Sequence, residues 1–118
     1  MPDPAGASVD QHFARRSAVV RAVYDRLVAA TRSFGPVVED PKKTSIHLVR
    51  RTAFAGVACR SASIVLTIKS ATDIHSPRVL KREQVSPGRW HVEVRLDDPA
   101  QVDFELTAWL RSAYDLSR

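Results

Sequence analysis

Residues 89–116 read RWHVEVRLDDPAQVDFELTAWLRSAYDL, and the rest of the chain is organised around them. The first eight of these residues alternate between apolar and polar side chains, a pattern typical of a strand with one buried face. After them, Asp98 is a good helix cap, Pro99 suits the first helical position, and Gln101 completes a capping box. The apolar residues that follow recur at helical spacing: Val102, Leu106, Trp109, Leu110 and Ala113. The stretch therefore predicts a strand that runs directly into a helix.

Another helix is predicted near the start of the chain. Ser8 and Gln11 have the spacing of a capping box, in which each side chain accepts a hydrogen bond from the other residue's backbone. Apolar side chains then recur at helical spacing: Phe13, Val20, Val23, Tyr24, Leu27 and Phe34. Gly35 and Pro36 end the pattern, since glycine accepts the left-handed cap and proline cannot continue a helix. We therefore predict a single helix between Ser8 and Gly35.

The residues between these helices predict an antiparallel sheet. Residues 45–51, 53–59 and 63–69 are short strand-like runs with short links, which favours a meander. The run at 53–59 is small and apolar on both faces, as expected for a central strand or one covered on both sides. Residues 78–85 form a weaker, charged run that suits the edge of a sheet. Residues 36–41 look extended or turn-like.

Together these segments predict an α+β fold. An antiparallel sheet of four or five strands, with the N- and C-terminal helices packed on one face, buries every apolar stripe in a two-layer sandwich. Trp90 and Trp109 fall on inward faces and are expected in the core. The other face of the sheet is then left open. The expected organisation is a flexible tail at residues 1–8 and a single domain at residues 9–118.

The composition is that of an ordinary globular protein. The chain has 118 residues, 44% of them apolar and 26% charged, and a single cysteine, Cys59. One cysteine excludes an intramolecular disulfide, which fits a reducing compartment. No apolar run approaches the roughly 20 residues needed to cross a bilayer, and the N-terminus lacks the blocks of a signal peptide. We therefore expect a soluble intracellular protein of the cytoplasm, with no membrane partner.

The chain is basic, with a net charge of +5 from 18 lysine and arginine residues against 13 acids. The excess lies in the first half, since residues 9–34 have a net charge of +3 and residues 39–70 a net charge of +4. Such a distribution attracts nucleic acid, anionic lipid or acidic metabolites. However, 14 of the 18 bases are arginine, and an arginine-rich proteome would give the same excess on an ordinary solvated surface.

The sequence also resembles a known family. The residues that carry the resemblance are Phe34-Gly35-Pro36, Lys42-Lys43-Thr44 before a strand, Phe54-Ala55-Gly56-Val57, and Trp109-Leu110 with Ala113-Tyr114. Over roughly residues 15–117 the chain is similar to a bacterial domain-of-unknown-function family, numbered five-six-five-five. The order helix, sheet, helix is also similar to the frataxin and YdhG-like arrangement, although frataxins carry an acidic ridge on the first helix and this helix is basic. The resemblance implies the fold and supplies no catalytic residue.

The most suggestive group of side chains is expected on the open face of the sheet. By strand parity this face carries Thr67 and five candidate ligand-binding residues: His47, Lys69, His91, Glu93 and Arg95. If their strands are neighbours, the two imidazoles and two cations can hold an anion such as phosphate, and Glu93 can orient either of its neighbours. The alternative is an ordinary solvated sheet face, which is polar by default.

The sequence predicts no metal site and no cofactor. Its four histidines show no His-x-x-x-His spacing, and Cys59 has no nearby ligand partner. Cys59 lies in a run of small apolar residues, which favours an inert packed thiol over a nucleophile. The sequence contains no Gly-x-Ser-x-Gly elbow and no glycine-rich phosphate loop. Catalytic residues are therefore left unassigned.

The function predicted from these patterns is a small intracellular binding or interaction module that uses its open polar sheet face. The alternatives are a weak binder of nucleic acid or of an anionic ligand, and an enzyme in which His47 and His91 act as acid or base. The partner is expected to be another protein or an anionic ligand, with any nucleic-acid binding weak because no aromatic residue shares the face. The chain is expected to be a monomer, or a homodimer paired through residues 45–51 or 63–69 across a two-fold axis.

Overall fold

The structure is a computed structural model that describes residues 8–118, where a six-stranded antiparallel sheet and two α-helices form two layers. The helices are α1 (Ala18–Arg32) and α2 (Phe104–Leu116). The strands are β1 (Val38–Pro41), β2 (Ile46–Val49), β3 (Ala53–Cys59), β4 (Ile64–Ser70), β5 (Val79–Ser86) and β6 (Arg89–Leu96). The α+β class is confirmed, whereas the expected count of four or five strands is wrong. The tail predicted at residues 1–8 lies outside the described residues, apart from Ser8.

The strand that the sequence missed is β1, which pairs antiparallel with β2 and places Pro41 opposite Ile46. Its sequence, VEDP, lacks the alternation of apolar and polar residues that predicts a strand. Pro41 has no N–H to donate and is tolerated because β1 lies at the edge of the sheet. The strand is held partly from outside the sheet, since Glu39 accepts a hydrogen bond of 3.0 Å from Arg32 of α1.

The strand order is β1-β2-β3-β4-β6-β5, and every neighbouring pair is antiparallel. The meander predicted for residues 45–69 is confirmed as β2, β3 and β4. Strand β6 lies between β4 and β5, which leaves β5 at the edge, as its charged sequence indicated. Because β2 and β4 are paired on both sides, the homodimer expected through residues 45–51 or 63–69 does not fit this sheet.

The first predicted helix is divided in two. The capping box of Ser8 and Gln11 is present, with reciprocal hydrogen bonds of 3.1 and 3.2 Å, but it closes only a short 3-10 turn. Arg15 then adopts a φ of 62°, which ends the helical geometry. The backbone N–H of Ser17 donates to the carbonyl of Ser61 at 2.9 Å. This bond fixes the start of α1 against the turn between β3 and β4.

The second capping box also closes a 3-10 turn, at Pro99–Gln101. The helix predicted directly after β6 therefore begins later, at Phe104. Its cap is Asp103, whose Oδ1 accepts the N–H of Leu106 at 3.0 Å. No helix in the described part of the chain is long and apolar enough to cross a membrane.

The hydrophobic core lies between the two helices and one face of the sheet. Alternate residues of β2, β4 and β6 are buried there, as predicted: Ile46, Leu48, Ile64, Leu66, Ile68, Val92, Val94 and Leu96. The helices cover them with a second buried set: Val20, Val23, Tyr24, Leu27, Leu106, Leu110, Ala113 and Tyr114. The expectation that Trp90 and Trp109 lie in the core is wrong, since both are only partly buried. Trp109 packs against the margin of the core and has the Arg78 guanidinium 5.8 Å from its ring centroid.

A candidate ligand-binding surface on the uncovered sheet face

The face of the sheet turned away from the helices carries polar side chains in register. Across the strands, each of the following residues lies opposite the next: Asp40, His47, Gly56, Thr67, Glu93 and Lys81. Two residues further along, Lys69 of β4 lies opposite His91 of β6. Arg95 lies opposite Val65 on the other side of this row. Since paired residues of a sheet share a face, the register places all five residues singled out by strand parity on this side.

The centre of the uncovered face is a depression of about 390 Å³. Its lining residues come from β2, β3, β4 and β6 and from the residue before β2: Ser45, His47, Ala53, Ala55, Gly56, Ala58, Thr67, Lys69 and His91. Strand β3 forms the floor, where small residues leave the backbone almost uncovered. A Cβ added at Gly56 would meet only the His47 ring carbon Cδ2 within 4 Å, at an ordinary 3.8 Å. The depression therefore exists because the side chains of β3 are shorter than those of its neighbours.

The charged side chain among the residues that line the depression is a lysine, Lys69. Lys69 supplies an ammonium group, His47 and His91 supply imidazoles, and no carboxylate is among the lining residues. Within residues 8–118, Lys69 takes part in no ion pair. No carboxylate of the described residues therefore pairs with this ammonium group, which can bind an anion.

Two of the five predicted residues lie outside the depression. Glu93 and Arg95 share the face but are not among the residues that line its concave part. The face as a whole is also less basic than the candidate residues suggested, because Asp40, Glu83 and Glu93 lie on it. The structure therefore brings together His47, Lys69 and His91 around the depression, with Lys69 as its charged side chain.

The small residues of the floor are the part of this surface that sequence reasoning missed. The sequence predicts Ala53, Gly56 and Ala58 in a strand that is central or covered on both sides. The strand is central, but its outward side carries no helix in the part of the chain that the structure describes. The available signal was the contrast between these small residues and the long polar side chains predicted on the neighbouring strands.

Other reactive groups lie away from this surface. Cys59 packs against the hydrophobic core, where burial raises the pKa of its thiol and the charge of Arg16 acts in the opposite direction. Tyr24 is a buried residue of α1, and burial together with the Glu39 carboxylate raises the pKa of its phenol. No group of three or more histidine, cysteine or acidic residues within residues 8–118 is arranged to hold a metal ion.

An antiparallel sheet with two helices on one face and a cationic depression on the other defines a small two-layer α+β domain with an open sheet face. The chain belongs to the family described as Domain of unknown function (DUF5655), whose model matches residues 9–117. The family expected from the resemblance is thereby confirmed. No curated protein and no solved structure matches the chain, so the frataxin-like arrangement is not confirmed.

Proposed function

We propose that this protein is a binding module that holds an anionic group of its ligand in the depression on the uncovered sheet face. The observation that carries the proposal is the ammonium of Lys69, which forms no ion pair within residues 8–118 and lies in a concave site whose described lining residues include no carboxylate. His47 and His91 add ring nitrogens that can donate hydrogen bonds to the same ligand. The single cysteine supports a reducing compartment, and we place the protein in the bacterial cytoplasm.

The shape of the depression indicates a ligand of two parts. Its volume of about 390 Å³ lies within the range of small-molecule sites, which is roughly 300–1,000 Å³. Ala53, Gly56 and Ala58 give an even, apolar floor on which a flat ring or an extended apolar chain can lie. Lys69 then binds a carboxylate or phosphate attached to that apolar part. The same chemistry is met by a small molecule and by an acidic side chain of a protein partner.

The separation of the two histidines supports binding over acid–base catalysis. His47 lies on β2 and His91 on β6, with β3 and β4 between them. Three strand spacings of about 4.8 Å and an offset of two residues along the strands place their backbones roughly 16 Å apart. A ligand that spans the depression contacts both rings, whereas one small reacting group would contact only one of them.

The distribution of charge supports a compact anion over a nucleic acid. A polyanion lying along the sheet would contact Lys69 and Arg95 but would also meet Asp40, Glu83 and Glu93 on the same face. Like-charge contacts oppose such binding. If three to five phosphates were nevertheless contacted, log affinity for a single strand would fall with log salt at a slope of about −2 to −3.5.

The test uses phenyl phosphate as a probe with both parts, and phenol and inorganic phosphate as its separate parts. We expect saturable changes in the amide spectrum at Gly56, Lys69 and His91 with phenyl phosphate, and much weaker binding of either part alone. Lys69→Met keeps the aliphatic stem and removes the charge, so affinity should fall roughly tenfold, as for the loss of one charge-assisted contact. Gly56→Leu should block binding by filling the floor.

The matched control is Arg26→Met, which removes a cation from the exposed surface of α1. This change should leave affinity unaltered, because α1 lies on the opposite side of the sheet. Equal losses in Arg26→Met and Lys69→Met would show a non-specific charge effect and would overturn the proposal. Spectral changes confined to other surfaces, or none at millimolar probe, would overturn it as well. If a labelled oligonucleotide binds more tightly than phenyl phosphate, nucleic acid is the better candidate ligand and the proposal is overturned.

A further inference from the structure

Strand β5 presents a free edge of the sheet, since it pairs only with β6. Its sequence is VLKREQVS, and the residues after Val79 are all exposed. The pairing with β6 is irregular between Val79 and Lys81 and between Gln84 and Ser86, which leaves a regular section at residues 81–84. An exposed edge is a template for a further strand. The order of charges along this edge identifies the strand that fits it.

We propose that a second copy of this chain pairs antiparallel with β5 about a two-fold axis at Arg82. In this register Lys81 of each copy lies opposite Glu83 of the other, which gives two ion pairs between the copies. The two six-stranded sheets join into one continuous sheet, with all helices on the same side. Such an interface is isologous, because the same strand contributes both halves of it.

The position of the axis follows from sheet geometry and charge. Residues that pair in an antiparallel sheet share a face and neighbours alternate, so the axis must pass between two copies of the same residue. An axis at Lys81 places that lysine opposite itself and Arg82 opposite Leu80. An axis at Glu83 places that glutamate opposite itself and Arg82 opposite Gln84. Of the three axes through charged residues, only the one at Arg82 pairs opposite charges on both sides.

The charge of Arg82 at the axis is already balanced within each copy. Its Nε lies 2.9 Å from Oδ1 of Asp73, so the two guanidinium groups meet with their own carboxylates attached. On the other face of the strand, Lys81 Nζ lies 3.7 Å from Glu83 Oε2 of the same copy. The dimer adds the equivalent pairs across the axis and completes a ring of four alternating charges, which is more stable than isolated surface pairs.

Exposed apolar side chains lie at the same edge. Leu80 is 61% exposed and Val85 is 46% exposed. In the proposed register, Leu80 near the start of β5 lies next to the end of the second copy's β5, and Val85 lies next to its start. Removal of this apolar surface from water favours association.

The opposite edge of the sheet does not accept a second copy in this way. Strand β1 has four residues, and its Pro41 cannot donate a backbone hydrogen bond. An axis at Glu39 or at Asp40 would place a carboxylate opposite itself. These features disfavour pairing through β1, and an isologous pairing through β5 alone closes at two copies instead of growing into a fibre.

The first test is the mass of the protein in solution, measured by sedimentation equilibrium from micromolar to millimolar concentration. We expect a monomer–dimer equilibrium with no larger species. Glu83→Lys places lysine opposite lysine twice and should weaken the dimer by roughly tenfold or more. Lys81→Glu should do the same, and Lys81→Glu with Glu83→Lys should restore the dimer. Lys43→Glu, an exposed change away from β5, is the control and should have no effect.

The second test does not depend on these charge variants. Arg82→Cys in a Cys59→Ser background places identical thiols opposite each other, at a Cα separation of about 4.5–5.5 Å that a disulfide can bridge. Oxidation should give a covalent dimer, whereas Val38→Cys in the same background, on the exposed part of β1, should not. A monomer at every concentration, a dimer indifferent to Glu83→Lys, or equal cross-linking at both positions would overturn the proposal.

Discussion

The hydroxyl group of Tyr24 on α1 donates a hydrogen bond of 2.6 Å to Oε1 of Glu39 on β1. The second oxygen of Glu39 accepts a hydrogen bond of 3.0 Å from Arg32, so both carboxylate oxygens are held from the same helix. The ring of Tyr24 is buried and lies 5.0 Å from that of Phe13. A strand without an apolar pattern is thus fixed to the helical layer by one carboxylate.

We expect Tyr24→Phe to lower the free energy of unfolding by about 1–2 kcal/mol, because it leaves a largely covered carboxylate oxygen without its donor. Urea denaturation measures this loss. In Tyr24→Phe with Glu39→Gln the losses should be less than additive, since both changes remove the same contact. Full additivity would show that the two side chains act independently.

The same tyrosine makes stability depend on alkaline pH. Burial and the Glu39 carboxylate raise the pKa of Tyr24 above its ordinary value of 10.0. The folded state therefore holds the phenol proton more tightly than the unfolded state. The contribution of protonated Tyr24 to the free energy of unfolding is complete below about pH 10 and is lost as the pH rises further. The unfolding free energy of the wild type should fall above pH 10, and Tyr24→Phe should reduce that slope. An identical slope in the variant would contradict the assignment.

Gly35 should not tolerate a side chain. Its φ is +149°, and an added Cβ would lie 2.5 Å from the hydroxyl oxygen of Tyr114, which is itself bonded to the Pro36 carbonyl at 3.0 Å. We expect Gly35→Ala to cost about 1–3 kcal/mol by thermal or urea unfolding.

Two other glycines separate the causes of that cost. Gly88 also has a positive φ, of +68°, but nothing lies within 4 Å of an added Cβ, so Gly88→Ala should show the cost of backbone strain alone, about 1 kcal/mol. Gly56→Ala has neither problem and should stay within about 0.5 kcal/mol of the wild type. A loss at Gly35 no larger than that at Gly88 would remove the role of Tyr114.

Asp103 should contribute to stability in an acid-sensitive way. The Leu106 N–H and then the Arg78 guanidinium hold the pKa of Asp103 below its ordinary value of 3.8. The contribution of the Asp103 carboxylate to the free energy of unfolding is therefore present above about pH 4. It is lost as the pH falls through the lowered pKa of Asp103 in the folded state. Asp103→Asn keeps a cap but not the charge, so it should flatten the fall in unfolding free energy below pH 4. Asp97→Asn, an exposed change with no such contacts, is the control.

Cys59 should react slowly with thiol reagents in the folded protein. Its half-buried position raises the pKa of the thiol, which lowers the thiolate fraction at neutral pH. We expect modification by a chromogenic disulfide to be much slower in buffer than in denaturant. Because the charge of Arg16 favours the thiolate, Arg16→Gln should slow the reaction further. Equal rates in buffer and denaturant would contradict the packed position of this side chain.

Much of the fold could be predicted from local pattern. The alternation in β4 and β6 and the apolar stripes of both helices identify the buried face residue by residue, because each period matches one type of element. Strand β1 and the break at Arg15 could not be predicted this way. The first depends on Glu39 contacting α1, and the second on the bond between Ser17 and Ser61, and both are tertiary contacts.

The candidate site was predicted less completely than the fold. Strand parity assigned His47, Lys69 and His91 to one face, which the register reproduces. Strand parity gives the face of each side chain but not the shape of the surface. It therefore could not show that the depression includes His47, Lys69 and His91 but not Glu93 and Arg95. The prediction that Trp109 is largely buried was also wrong. The apolar stripe of a helix shows which way a side chain points, but not whether the sheet extends far enough to cover it.

Because β6 lies between β4 and β5, the sheet cannot be assembled in chain order. Strands β5 and β6 are joined by only Pro87 and Gly88, so their hairpin closes a short loop at little entropic cost. Pairing of β6 with β4 needs closure of the longer segment 71–88 and is a non-local step, which is the kind that slows folding. We therefore expect the hairpin to form early and to dock late onto the meander. That docking step sets His91 opposite Lys69, so we expect the depression on the uncovered sheet face to be completed only when folding is nearly finished.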